Sequence, residues 1–313
     1  MRYIKEIREG ENVVEHFLCK SKQQLKSRAG KNYLSLKLRD KTGSVDAKVW
    51  EMNNDIKSFE ENEYIKIDAI AIMYQNEIQL NVRKLRRSEE GEYDPVDYIP
   101  SSEKNIDQME KELLSYIDTI DNLFVKRLLI EIFVNNKEIN KKLKTHSAAK
   151  SIHHGYMGGF VEHTLSVTQI CDFMSSRYKY IDRDILIASA MLHDIGKLEE
   201  LSDFPINDYT DDGQLLGHIY IGAELVGKSV AKIDGFPKQL ESLIKHCILS
   251  HHGEYEYGSP ELPKIIEAFI LHCADNMDAK TKAIEELIDS DSTLGNWVGY
   301  QKMLQRNIRK SGF

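Results

Sequence analysis

The 313-residue chain predicts a multidomain α+β protein, an N-terminal five-stranded β-barrel followed by an all-α helical bundle. Three observations predict it. Apolar and polar residues alternate with period two up to about residue 87, and an acidic stretch carrying Gly and Pro interrupts them at 88–104. From Ile106 onward, apolar residues recur at three- and four-residue steps. The length exceeds what one hydrophobic core usually organises, so the reading is two domains, 1–87 and 105–313, joined by a linker.

The elements follow in order. Val13-Val14-Glu15-His16-Phe17-Leu18 opens a strand, and Tyr33-Leu34-Ser35-Leu36-Lys37-Leu38 alternates cleanly. Asp40-Lys41-Thr42-Gly43 is a hairpin turn, after which Val45 to Trp50 resumes the alternation. A short polar helix is expected from Asn53 to Phe59. Two further strands, Tyr64 to Tyr74 and Ile78 to Leu85, meet at Gln75-Asn76-Glu77. Five strands with a small helix between the third and fourth is the order of an OB-fold barrel, a nucleic-acid-binding layout. In the second domain Met109, Leu113, Ile117, Ile120, Leu123 and Phe124 form one apolar face, continued by Leu128 to Phe133. Later helices are expected at 163–178, 183–192, 218–232, 238–252 and 262–289. The segment from Trp297 to Phe313 is basic and carries no motif.

Composition excludes several classes. With 41% hydrophobic and 29% charged residues, 6 Pro and 18 Gly, the chain is neither collagen-like nor wholly disordered. No apolar run approaches about 20 residues, so no membrane span is expected, and Met1 to Glu6 lacks the apolar core of a signal peptide. A cytoplasmic location is expected, with Cys19, Cys171, Cys247 and Cys273 as ordinary, mostly buried thiols. The net charge of −8 argues against a protein that coats nucleic acid along its whole surface. Yet residues 20–48 set nine basic side chains (Arg28 among them) against Asp40 and Asp46, an excess of seven, and Arg83, Lys84, Arg86 and Arg87 follow. That asymmetry marks a local polyanion site on the barrel. Tyr33, Trp50 and Tyr74, interleaved with Lys37, Arg39, Lys48 and Arg83, are candidates to stack bases and track a single strand, although at least one of the three aromatics is expected to be core.

Ten of the eleven histidines lie after residue 145. His163 opens a helix whose apolar positions Leu165, Val167, Ile170 and Phe173 face a core. His193-Asp194 ends the apolar helix Ile185 to Leu192, His218 follows Gly217, and His251-His252 closes a helix before Gly253. Asp275 stands among apolar neighbours in the last long helix. A carboxylate there needs a partner, because burying an unpaired charge is costly.

His163, His193-Asp194 and Asp275 resemble the H…HD…D signature of the HD superfamily of metal-dependent phosphohydrolases. His218 and His251-His252 add what is similar to its two-metal branch. The resemblance implies one metal held by His163, His193, Asp194 and Asp275, and a second held by Asp194, His218, His251 and His252, with Asp194 bridging. Imidazole and carboxylate donors suit Mn²⁺, Fe²⁺ or Co²⁺. An OB-like domain ahead of an HD domain, with the run His153 to Thr164, resembles the YhaM family, bacterial 3′→5′ exoribonucleases that use Mn²⁺. What this implies is hydrolysis of single-stranded RNA, with single-stranded DNA as a second candidate, to nucleoside 5′-monophosphates. Metal ions would activate water and neutralise the phosphate. Lys197, at i+4 from His193, is a candidate phosphate clamp or general acid beside catalytic Asp194. His154, Tyr156, Gly158 and Gly159 are candidates for substrate contact, since glycines allow close backbone approach to a phosphate. A homo-oligomer is compatible with the sequence. Three rivals stand: an HD-type cyclic-dinucleotide phosphodiesterase, whose usual GYP tripeptide is missing from Gly253 to Gly258; a nucleotide phosphohydrolase; and a non-catalytic nucleic-acid-binding module.

Overall fold

A computed structural model describes residues 1–27, 30–51, 53, 55–75, 77–150, 154–291 and 295–312; Arg28, Asn76 and His153 of the preceding section lie outside these. The chain divides into two compact units, Met1–Ser101 and Ser102–Phe313.

The first unit is a closed barrel of β1 (Asn12–Lys26), β2 (Asn32–Asp40), β3 (Gly43–Val49), β4 (Tyr64–Tyr74) and β5 (Glu77–Arg87), in the order β1-β2-β3-β5-β4. All pairings are antiparallel except β3 with β5. Alternation puts Leu34, Leu36 and Leu38 of β2 inside, against Phe17, Ile65, Ile67 and Leu80. β1 serves two neighbours. Its first half pairs with β4 and its second with β2, and a register shift between Cys19 and Ser21 lets the strand bend from one to the other. Asp40 is buried at the β2–β3 turn, where it accepts hydrogen bonds from the Thr42 amide and hydroxyl.

Two expectations for this unit need correction. No helix forms among the described residues of 53–59: Ile56 bridges to Leu85 in parallel and Phe59 is buried in the barrel core. The Asn53 side chain accepts from the Asp55 amide, so local turn chemistry outcompetes a helix. Nor is the acidic stretch a free tether up to Ser101. Tyr93 and Tyr98 gather on Tyr64, with ring centroids 4.0 and 5.0 Å away, and Tyr98 is fully buried.

The second unit is built from α1 (Ile106–Asp118), α2 (Leu123–Leu129), α3 (Lys137–Thr145), α4 (Gly159–Ser175), α5 (Arg183–Leu192), α6 (Lys197–Glu200), α7 (Asp211–Val230), α8 (Lys238–Ser250) and α9 (Ile266–Ser290). Asn105, Asn122, Asn136 and Asp182 cap four of them by accepting from backbone amides of the first turn. α5 is buried along its length from Ile185 to Leu192, with α4, α8 and α9 packed around it. α4 starts at Gly159, so His163 lies in its second turn rather than opening it. Phe173 on α4 is 58% exposed and does not join the core. α7 begins at Asp211, ahead of the expected 218, and breaks at Gly217, whose φ of 73° suits glycine. A C-terminal hairpin, β6 (Trp297–Gln301) with β7 (Arg306–Arg309), ends an otherwise helical unit. The cysteines are free thiols, and only Cys273 is exposed.

Candidate metal centre

Five helices deliver seven polar side chains to one buried point. His163 comes from α4, His193 and Asp194 from the turn that ends α5, and His218 from the resumption of α7 after Gly217. His251 and His252 follow α8, and Asp275 lies on α9. All seven residues expected from sequence are brought together.

Asp194 is the centre of the cluster. Its Oδ2 lies 3.4 Å from His163 Nε2 and 3.5 Å from His193 Nε2. Its Oδ1 lies 3.5 Å from His218 Nε2 and 3.6 Å from His251 Nε2. Asp275 Oδ1 closes the first side, 3.2 Å from His163 Nε2 and 3.8 Å from His193 Nε2. Two groups thus flank one carboxylate: His163, His193 and Asp275 on one side, His218, His251 and His252 on the other, each with donor atoms within 4.8 Å of one another. Asp194 Oδ1, His218 Nε2 and His251 Nε2 are buried and have no hydrogen-bond partner among the described residues. Buried polar atoms are rarely left so, and a divalent cation among them accounts for all three.

The outward-facing ring nitrogens are all occupied. His163 Nδ1 bonds to Asp278 at 2.7 Å, His193 Nδ1 to the Ala190 carbonyl at 2.8 Å, and His218 Nδ1 to Glu200 at 3.0 Å. His251 Nδ1 bonds to the Ile248 carbonyl at 2.7 Å and His252 Nδ1 to that of Tyr257 at 2.8 Å. A donating Nδ1–H fixes the tautomer and turns the Nε2 lone pair inward, the arrangement of metal-ligating histidines. Sequence reasoning missed Asp278 and Glu200. Asp278 also meets His154 Nε2 at 3.2 Å and accepts from Ser166, and so explains the grouping of His154, His163 and Asp278 as a hydrogen-bonded support rather than a third cation site.

Electrostatics follow from this geometry. Burial drives His193 down to about 4. Burial, with His251 and His218 nearby, does the same to His252. Both are neutral donors at neutral pH. Burial also opposes charge on His163, but Asp194, Asp275 and Asp278 outweigh it and hold its pKa well above the imidazole range. A proton there stands where a cation would, and the two compete. Lys197 donates to Asp194 Oδ2 at 2.7 Å; burial disfavours its charge, but Asp194 raises its pKa above the usual lysine value.

A cavity of about 230 Å³ opens from the cluster, lined by residues that include His154, Lys197, His252, Tyr257, His272 and Asn276. His154 spans Tyr156 Oη (3.1 Å) and Asp278, and Tyr156 donates to Glu162 at 3.0 Å. The two glycines make close approaches of another kind from those expected. A side chain on Gly159 would collide with the His154 carbonyl, and one on Gly158 (φ 78°) with Ile106. Their lack of Cβ serves the turn that seats His154 and starts α4.

On the barrel, Tyr33, Lys48, Trp50 and Tyr74 line one groove. Tyr33 stacks on Trp50 at 4.6 Å, Trp50 is 47% exposed and Tyr74 55%. Tyr33 is half-buried, so none of the three is core, contrary to expectation. Lys37 is paired with Asp46 at 3.3 Å, Arg83 with Asp68, and Arg39 is half-buried; none of these three lines the groove.

Comparison with known proteins agrees with both units. An HD domain family matches residues 160–280, and a family described as OB-fold nucleic acid binding domain matches residues 19–87. The 3′-5′ exoribonuclease YhaM of Geobacillus sp. (strain WCH70) is 32% identical over 286 residues, 90% of this chain and 86% of that one. Two solved structures overlap the chain at low similarity. The second OB-fold domain of replication protein A from Methanococcus maripaludis is 15% identical with a TM-score of 0.24, covering 29% of this chain and 98% of its own. The OB domain of a Thermoplasma acidophilum protein is 14% identical with a TM-score of 0.23, covering 31% and 92%. With an HD donor set centred on Asp194, an OB-like barrel ahead of it, and a relative matched across nine-tenths of the chain, the protein belongs to the YhaM exoribonuclease family.

Proposed function

We propose that this protein is a divalent-metal-dependent 3′→5′ exoribonuclease that releases nucleoside 5′-monophosphates from single-stranded RNA, with single-stranded DNA as a second candidate substrate. The observation that carries the reading is the buried Asp194 carboxylate between two groups of inward-facing Nε2 atoms, three of whose polar atoms lack any partner among the described residues. His163, His193, Asp194 and Asp275 would hold one cation; Asp194, His218, His251 and His252 would hold a second. The donor set suits Mn²⁺, Fe²⁺ or Co²⁺, and it is the resemblance to the YhaM family that points to Mn²⁺ among them. When bound, such ions lower the pKa of water and neutralise phosphate oxygens.

The reaction forms a bond from water oxygen to the terminal phosphorus and breaks the bond to the 3′-oxygen of the penultimate nucleotide, which takes up a proton. Lys197, which donates to Asp194 at the cavity wall, would serve as phosphate clamp or general acid. The barrel groove, with its Tyr33–Trp50 stack, Tyr74 and Lys48, would bind bases of the incoming strand. Among the described residues no helix is long and apolar enough to cross a membrane.

The test is incubation with Mn²⁺ and 5′-labelled single-stranded RNA, alongside cyclic dinucleotides and nucleoside triphosphates. Mononucleotides should appear from the 3′ end of the RNA, and Asp194→Ala should abolish their release while still binding RNA. Turnover of cyclic dinucleotides or triphosphates with intact RNA, or RNA cleavage by the Asp194→Ala protein, would sink the proposal.

A further inference from the structure

His272 and Asn276 take no part in the cluster, yet both line its cavity, one helical turn apart on α9 and flanking Asp275. His272 is firmly seated. Its Nδ1 bonds to the His251 carbonyl at 2.9 Å, and its ring lies so close to Gly253 that any side chain there would collide with it. That leaves Nε2 for the cavity. The Asn276 amide is half-buried and makes no hydrogen bond among the described residues, so its donors and its acceptor are available. Tyr257 completes the wall. Its carbonyl holds His252, while its ring is 60% exposed at the rim.

Size and chemistry together restrict the occupant. At about 230 Å³ the cavity is smaller than the roughly 300–1,000 Å³ of pockets for drug-sized ligands, so it takes one terminal unit rather than a length of chain. Lys197 and the proposed cations supply the positive charge of this cavity, which suits a phosphate. Beside them the wall offers His272 Nε2, an acceptor because Nδ1 donates to the His251 carbonyl, and the Asn276 side-chain amide, which both donates and accepts. That suits sugar hydroxyls, each a donor and an acceptor, whereas a second phosphate would call for Arg or Lys. We propose that His272 and Asn276 bind the 2′- and 3′-hydroxyls of the 3′-terminal ribose, with Tyr257 against its base, and that this subsite selects RNA over DNA at the terminal nucleotide. The inference rests on the exonuclease reading for the direction of the strand, not for the chemistry of the subsite.

The full-length protein and Asn276→Ala are compared on two RNA oligonucleotides identical except for a 2′-deoxyribose at the 3′ end. Alanine raises helix propensity at this position, so α9 should form in the variant. The wild type should release the terminal 2′-deoxynucleotide roughly tenfold more slowly, the worth of one neutral hydrogen bond. Asn276→Ala should slow the all-RNA substrate by a similar factor and bring the ratio between the two ends close to one. A merely structural role would slow both ends alike and leave the ratio unchanged. Binding of adenosine 5′-monophosphate and its 2′-deoxy analogue, with Mn²⁺ present, gives a second readout that needs no turnover. Discrimination between the monophosphates, removed by Asn276→Ala, supports the subsite even if the RNA is not degraded, in which case the exonuclease reading alone has failed. Equal handling of ribose and deoxyribose by the wild type, or a change in base preference without a change in the 2′-hydroxyl ratio, overturns the inference.

Discussion

Each imidazole of the cluster is held by its outer nitrogen, and the nature of the holder differs. Backbone carbonyls serve His193, His251 and His252, whereas carboxylates serve His163 and His218. The carboxylate-held rings are the ones a single substitution can release. Asp278→Ala would take a bond at once from His163, His154 and Ser166, so metal affinity should fall by roughly 10- to 100-fold while the seven donors stay intact. Titration calorimetry with Mn²⁺ reads this directly, and affinity within twofold of wild type would show that Asp278 is dispensable. The donors themselves were legible because imidazole and carboxylate at the ends and inner faces of successive apolar helices have few other uses. Their holders were not. Glu200 sits in the acidic run Glu199-Glu200 and Asp278 near Lys280, each of which reads as a solvated helix face. The one available signal was spacing, since Asp278 follows Asp275 by three and so shares its face of α9.

At the scale of elements, what was legible is what side-chain periodicity controls. The inner strands and α5 came out of alternation and apolar continuity, whereas β1 runs on to Lys26 through Ser21, Lys22, Gln23 and Gln24, where only the backbone ladder to β2 sustains the strand. The polar hairpin of β6 and β7 is hidden for the same reason. His146 shows another connection invisible to periodicity. It ends α3, its carbonyl accepts from the Phe160 amide in α4, and its Nε2 lies 3.0 Å from the Leu201 carbonyl, just past α6. Burial holds its pKa below the ordinary 6.5. The sign follows: below pH 6.5 the unfolded chain takes up this proton and the folded one resists it. The stabilisation is therefore complete above that pH and is lost as pH falls beneath it. Replacing His146 with Gln, which keeps a donor for Leu201, should make the unfolding free energy of the metal-free helical unit less steep with pH, by up to about 1 kcal/mol per pH unit between about pH 7 and pH 5. Parallel pH profiles for the two proteins would show that this histidine titrates alike in both states.

For the molecule as a whole, the separate cores of the two units make a division of labour testable, because every proposed metal ligand belongs to residues 102–313. The charge count of the barrel overstates its reach for RNA. Lys22, Lys37, Lys41, Arg83, Arg86 and Arg87 all lie within ion-pair distance of a carboxylate, which leaves fewer cations to displace counterions than the sequence excess implies. If the aromatic groove with Lys48 supplies much of the grip, stacking will be insensitive to salt and only roughly three phosphates will be neutralised, a slope of about −2 in log affinity against log salt for single strands. The Asp194→Ala full chain and a 102–313 fragment with the same change should therefore differ twofold over. The fragment should bind long single strands more weakly at every salt concentration, and its slope should be flatter. Without that substitution, the fragment should still degrade very short oligonucleotides. Fluorescence anisotropy across a salt series decides the matter. A full-chain slope near that of the whole basic excess would mean that the ion pairs open for RNA. Equal affinities and equal slopes for the two proteins would mean that the barrel does not hold the strand, and that its groove serves another partner.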